Sequence, residues 1–237
     1  FTLVEIFGNL NIPRIKLLDT YSPNNRYTPI PTDFVIDLGN SRTCGILLEK
    51  PETHNIQIES AIPFKIRDFE NAHVYESGLI ESRIELAQAN FGRYDLARKS
   101  GRHEAFLWPS PARIGSEAQS IQNKTDGTEA PSGLSSSKRY LCESSLSERE
   151  WRFADTKSNI IPPVAKKSKY ILNQQGEIRG PQDPPATELK FSKSSFVMFM
   201  IAELIAHAFV QINNPQERKK RPNATSPRRL SRIILTI

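Results

Sequence analysis

Two short β-rich runs, Phe34-Val-Ile-Asp and Cys44-Gly-Ile-Leu-Leu-Glu, flank the string Leu-Gly-Asn-Ser-Arg-Thr. Aromatic and β-branched residues favour strands, and Gly, Asn and Ser favour chain reversal, so Phe34 to Glu49 reads as a β-hairpin. The chain has 237 residues, 38% of them hydrophobic, which is enough for a real core in one or two domains. Seventeen prolines predict interrupted elements joined by long irregular connections.

Ahead of the hairpin, residues 1–33 alternate short apolar runs with Pro13, Pro23, Pro29 and Pro31, which reads as one or two edge strands and a loop. Residues 1–6 lack a basic n-region, so no signal peptide is expected there, and the chain reads as a trimmed piece of a longer protein. After the hairpin, Ile56 to Ile66 predicts a third strand and Phe106 to Ile114 a fourth extended run broken by Pro109 and Pro111. Gly115 leads into a short helix from Ser116 to Gln122. Asn123 to Ser137 and Ile161 to Thr187, the latter with Lys166, Lys167 and Lys169, read as solvated connections.

Ser195 to Asn213 is the strongest helical segment, apolar except for Glu203, His207 and Gln211, whose four-residue spacing puts them on one stripe. It predicts a buried helix with one polar edge. A membrane span is the rival, but Glu203 falls at the centre, where a charge in lipid is costly. Ile233-Ile-Leu-Thr-Ile then reads as a central strand covered on both faces, and its place at the end of the chain reads as truncation.

The net charge of +6 is local. Arg218, Lys219, Lys220, Arg221, Arg228, Arg229 and Arg232, opposed only by Glu217, account for the whole excess. Such a cluster invites a nucleic-acid reading. The stretch has no aromatic residue to stack on a base and a Pro-Asn-Ala-Thr-Ser-Pro middle, so a solvated insertion loop at 214–229 is expected instead. Cys44 and Cys142 are too few to staple the fold, which fits a reducing compartment. Gly-x-Ser-x-Gly, His-Glu-x-x-His and Gly-x-Gly-x-x-Gly are all missing, and His54, His73, His103 and His207 are scattered.

The hairpin is where the chemistry concentrates. Its first strand delivers Asp37 to the strand's carboxyl end, Gly39 lets a ligand approach the backbone, and Asn40, Ser41, Arg42 and Thr43 offer amides and hydroxyls to an anion. Asp37 is placed to hold a magnesium ion through waters while the turn cradles phosphates. An ordinary hairpin with a polar turn explains the same pattern, and both readings stand at this point.

The hairpin resembles the first phosphate motif of the actin-like superfamily, which includes actin, sugar kinases and DnaK-type chaperones. Taken with Phe106-Leu-Trp-Pro-Ser-Pro-Ala-Arg-Ile-Gly-Ser-Glu-Ala and Ser135-Ser-Ser-Lys-Arg-Tyr-Leu, in that order, the string Asp37-Leu-Gly-Asn-Ser-Arg-Thr-Cys-Gly more narrowly resembles the bacterial virulence factor SrfB family. The DnaK-type resemblance implies that Asp37 is the magnesium-associated aspartate and that Gly39 to Thr43 is the loop around the β and γ phosphates. It further implies that Lys138, followed by Arg139, is the catalytic lysine reaching the γ-phosphate and the attacking water. A solvated lysine beside a Ser-rich loop is the plain alternative. By the same resemblance the long helix packs on the central sheet, which makes Glu203 and His207 core-edge or interface groups.

The expected fold is therefore α/β, a partial actin-like ATPase (ribonuclease H-like) lobe with a mixed sheet, a β-hairpin and a long packed helix. Residues 1–33 form an extension and 34–237 the incomplete lobe. Where the family often has two threonines after the first Gly, this chain has Asn40 and Ser41. The implied cofactors are ATP and magnesium, with the second phosphate motif and the adenosine contacts coming from the remainder of the parent chain. The implied location is the bacterial cytoplasm or, as a secreted effector, beyond it. A non-catalytic interaction scaffold that keeps the fold is the competing reading; a membrane or nucleic-acid partner is not expected.

Overall fold

A computed structural model describes residues 28–50, 61–67, 75–87, 112–125, 132–152, 173, 177, 179–184, 190–221 and 223–236. It is a mixed α/β fold built around the predicted hairpin. Strand β1 (Ile30–Leu38) and strand β2 (Arg42–Glu49) pair antiparallel, with Asp37 opposite Cys44 and Leu38 opposite Thr43. Along β1 the side chains alternate as the two-residue strand period demands: Phe34, Ile36 and Leu38 are buried, and Asp37 is exposed. That alternation is what turns the Asp37 carboxylate away from the core.

β1 starts at Ile30 rather than Phe34, so the last residues of the expected 1–33 extension belong to the sheet. Pro31 is accepted there because it lies at the strand's start, just before a register irregularity between Thr32 and Asp33. Residues 1–27 lie outside the described part.

β3 (Ala61–Pro63) extends the sheet antiparallel to β2, and β4 (Lys65–Arg67) pairs with β5 (Tyr75–Ser77) in a separate ribbon. The third strand expected over Ile56 to Ile66 is thus two strands divided at Phe64, with residues 56–60 outside the described part. β6 (Ile80–Glu81) returns to β2, and β7 (Arg83–Leu86) forms a second antiparallel sheet between β8 (Ala112–Ile114) and β9 (Gly133–Ser135). β9 lies inside the stretch expected to be solvated loop, and β5 to β7 carried no singled-out signal. Of the run Phe106 to Ile114, only β8 is described.

Helix α1 (Gly115–Thr125) begins at a glycine with φ +63. A Cβ there would lie 2.5 Å from Ile66 Cδ1, so the left-handed turn and the packing both call for glycine. Helix α2 (Lys193–Ile212) is started by Ser192, whose side chain accepts from the Ser195 amide. Its Phe196, Met200, Leu204 and Ala208 join Phe34, Phe64, Ile80 and Ile84 in one core. The Phe34 and Phe64 rings meet at 4.7 Å, and Trp151 meets Phe196 at 4.3 Å, both pairs tilted.

The polar stripe of α2 faces inward. Glu203, His207 and Gln211 are all buried, and two of them close the open edge of β4: the amide of Lys65 donates to Gln211 Oε1 at 2.9 Å, and that of Arg67 to His207 Nδ1 at 3.3 Å. Backbone groups that lack a strand partner must find one when buried, and side chains supply it. What α2 exposes is apolar, Met198, Phe209 and Val210 among it. Its length and composition would allow it to cross a membrane, yet most of it is buried in this fold.

Helix α3 (Pro215–Lys219), capped by Asn214, leads to β10 (Arg228–Thr236), which runs parallel to β1. β10 is the outermost strand of the order β10-β1-β2-β3, and Ile233, Ile234 and Leu235 are exposed on it. Among the described residues the expected cover on both faces is not present. A continuous apolar run specifies a strand but not its place in the sheet.

The expected solvated loop at 214–229 is also more structured than its composition implied. It contains α3, and Arg218 and Arg228 are buried. Arg228 Nε lies 2.9 Å from Glu49 Oε1 and Arg221 reaches the same carboxylate at 3.2 Å, while Arg232 and Lys50 pair with Asp33 at 2.6 and 3.2 Å. These cations fasten the basic segment to the start of β1 and the end of β2.

Candidate functional site

β1 and β10 run parallel, so both deliver their carboxyl ends to the same edge of the sheet, which is where open α/β sheets place ligands. Asp37 stands at that edge, with Thr236 directly opposite it. The Thr236 hydroxyl donates to Asp37 Oδ1 at 3.0 Å and lies 3.3 Å from the Ile36 carbonyl. This leaves an exposed carboxylate with one fixed hydroxyl neighbour.

The turn follows at once. Asn40, Ser41 and Arg42 are exposed, and Gly39 is half-buried against the Arg42 carbonyl, on which a Cβ at residue 39 would land. The turn is held in its present shape only because residue 39 has no side chain. Thr43 differs from the expectation of an offered hydroxyl. It is fully buried, and its Oγ1 is 2.8 Å from Ser82 Oγ.

Ser82 joins this turn to the one carrying Lys138. Its amide donates to the Ser41 carbonyl at 3.0 Å, and its own carbonyl accepts from the Ser136 amide at 2.9 Å. Ser136 has φ 53 and ψ 43, a left-handed conformation that costs a non-glycine residue about 1 kcal/mol. It turns the chain into the 3-10 helix Ser137–Tyr140, which carries Lys138, half-buried, and Arg139, exposed. From the other side Ser137 Oγ donates to Met200 Sδ of α2 at 3.2 Å. Lys193 of α2 bonds Glu143 at 2.7 Å and sits over the Tyr140 ring.

One residue, Ser82, thus links the turn Gly39 to Thr43 to the segment that carries Lys138. Ser82 and Thr236 are the members sequence reasoning missed. Thr236 leaves a faint trace as the one hydroxyl in an apolar run, whereas Ser82 leaves none.

The metal role expected of Asp37 rests on its carboxylate alone. Among the described residues no group of three or more His, Cys, Asp or Glu side chains gathers to hold a metal. A magnesium ion needs only one or two carboxylates and otherwise prefers waters and phosphate oxygens, so a single exposed aspartate beside an exposed polar turn is chemically compatible with it.

A second polar cluster lies beneath the sheets. Arg113, Glu117, Glu203 and His207 are all buried, with Arg113 Nε 3.5 Å from Glu117 and Nη1 4.0 Å from Glu203. Burial, then the charges of Arg113 and Arg67, pushes His207 down to about 4. Its 3.8 Å approach to Glu203 is therefore no ion pair at neutral pH. Glu203 and His207 work here as core groups.

The sequence matches a family described as Virulence factor SrfB over residues 2–237. The chain belongs to that family. Nothing matches among curated proteins or solved structures. In this SrfB-family chain the matched region takes in the hairpin, Ser82, the Lys138 turn and β10, so every part of the candidate site belongs to the family's own sequence.

Proposed function

We propose that this chain is the N-terminal lobe of an actin-like, DnaK-like nucleotide-binding ATPase and supplies the first phosphate-binding hairpin of its site. One observation carries the reading: Asp37 stands at the carboxyl ends of two parallel strands beside the exposed turn 39–42, and Ser82 ties that turn to the segment bearing Lys138. The turn amides and Arg42 would receive the β and γ phosphates, and Asp37 would hold magnesium through waters. Lys138 would stabilise the charge that develops as water attacks the γ-phosphorus, the bond to the bridging oxygen breaks, and ADP and phosphate leave. The remaining phosphate and adenosine contacts would come from the rest of the parent chain, in the bacterial cytoplasm.

The test is calorimetric titration of magnesium ATP into the full-length protein and into this chain, with Asp37→Ala and Lys138→Ala variants. Binding by the full-length protein, weakened about tenfold or more by Asp37→Ala and little changed by Lys138→Ala, is the expected result. Failure of the full-length protein to bind would defeat the reading. It would favour the second one, a non-catalytic interaction scaffold, which rests on the apolar residues exposed on α2 and β10.

A further inference from the structure

Between β6 and β7 the chain passes from the larger sheet to the smaller through one residue, Ser82. β6 ends at Glu81 and belongs with β2 in the larger sheet; β7 begins at Arg83 and runs between β8 and β9 in the smaller one. The hairpin turn projects from the first sheet, and the Lys138 turn follows directly on β9 of the second. Their relative position is therefore set where the sheets join.

The bonding at that point is dense. Ser82 is 2% exposed, and its amide, carbonyl and hydroxyl are all engaged, to Ser41, Ser136 and Thr43. A buried residue whose amide, carbonyl and hydroxyl are each hydrogen-bonded is held far more tightly than an exposed one, because any displacement strands a donor or acceptor away from water. Ser41 and Thr43 flank Arg42 in the hairpin, while Ser136 is the left-handed residue that aims the Lys138 turn. A shift of Ser82 must move both.

We infer that Ser82 is a positioning residue that holds Lys138 in register with the phosphate-binding turn, so that it governs turnover rather than nucleotide affinity. This rests on the ATPase reading above. Binding draws mainly on the turn's own amides, which Ser82 leaves free, whereas catalysis depends on where the lysine stands, and a misplacement of about 1 Å can cost about a hundredfold in rate.

The experiment uses the full-length protein with Ser82→Ala, Ser82→Thr, Thr43→Val, Lys138→Ala and the Ser82→Ala/Lys138→Ala double variant. It measures magnesium ATP turnover, and hydrogen exchange in peptides spanning 37–45 and 132–141, one for each turn. Ser82→Ala should lower kcat about tenfold or more with KM within about threefold, and Ser82→Thr, which keeps the hydroxyl, should restore most of it. Thr43→Val should reproduce the loss, since it removes the same bond. The double variant should be little worse than Lys138→Ala alone, as expected if Ser82 acts through the lysine. Exchange should rise about tenfold in both peptides together.

Independent, multiplicative losses in the double variant, or faster exchange in one peptide only, would overturn the inference. A wild-type protein that neither binds nor turns over magnesium ATP would instead remove the ATPase reading and the positioning of Lys138 for turnover with it. The exchange data would still decide whether Ser82 couples the two turns.

Discussion

Lowering the pH should destabilise this fold through His207, by an amount the structure allows to be worked out. His207 is 5% exposed, and its Nδ1 accepts the Arg67 amide, a bond a protonated ring cannot make there. Burial first, then the Arg113 and Arg67 charges, takes its pKa from 6.5 to about 4, despite Glu203 at 3.8 Å. Between those values the unfolded chain binds a proton that the native protein refuses. The contribution of neutral His207 is thus complete above pH 6.5 and is lost as the pH falls towards about 4. At 1.36 kcal/mol per unit the gap amounts to about 3 kcal/mol. Urea unfolding from about pH 7.5 to about pH 4.5, comparing wild type with His207→Gln, isolates it, because glutamine keeps an acceptor for Arg67 and does not titrate. Other titrations cancel in the difference. Among them is Asp33, which burial pushes up but which its bonds and charges with Arg232 and Lys50 bring below the usual carboxylate range. The stability advantage of wild type should shrink by about 3 kcal/mol across that window, and a difference that stays flat with pH would refute the reasoning.

Gly39→Ala should reshape the hairpin turn, since its Cβ would land on the Arg42 carbonyl; the expected loss is about 1–3 kcal/mol by chemical denaturation, and unchanged stability would show the turn to be softer than drawn. Glu49→Ala should cost about 2–4 kcal/mol, because Arg228 stays buried without its carboxylate, beside the Asn223 and Ser226 carbonyls it also bonds, and Arg221 loses the same partner. Denaturant titration measures it, and a loss below about 0.5 kcal/mol would mean the pair behaves as a surface one.

The hairpin and the long helix were legible in the sequence because each is coded locally. Phe34-Val-Ile-Asp, the Gly-Asn-Ser turn and Cys44 to Glu49 specify reversal within one short segment, and a two-residue period along β1 already separates Asp37 from Phe34 and Ile36. Resemblance supplied the family and the interest of Lys138, which composition alone would have left as one more lysine beside serines.

Tertiary structure decided the rest, in each case because the deciding partner is distant in the chain. A four-residue spacing put Glu203, His207 and Gln211 on one stripe but could not say that the stripe faces inward, since that depends on β4 having an edge in need of acceptors. The run of cations from Arg218 to Arg232 reads as solvated until Glu49 and Asp33, on strands far away in sequence, draw several of them in. Ser82 is the clearest case. A lone serine between two short strands carries no pattern, and its weight comes only from being where two sheets meet and where Ser41, Thr43 and Ser136 all find their partner. The sequence by itself determined the hairpin, the long helix and the strand after the basic stretch, because those follow from nearest-neighbour chemistry; only the fold decided the short strands, which polar groups are buried and which turns are joined, because burial and pairing belong to residues that the chain brings together from far apart.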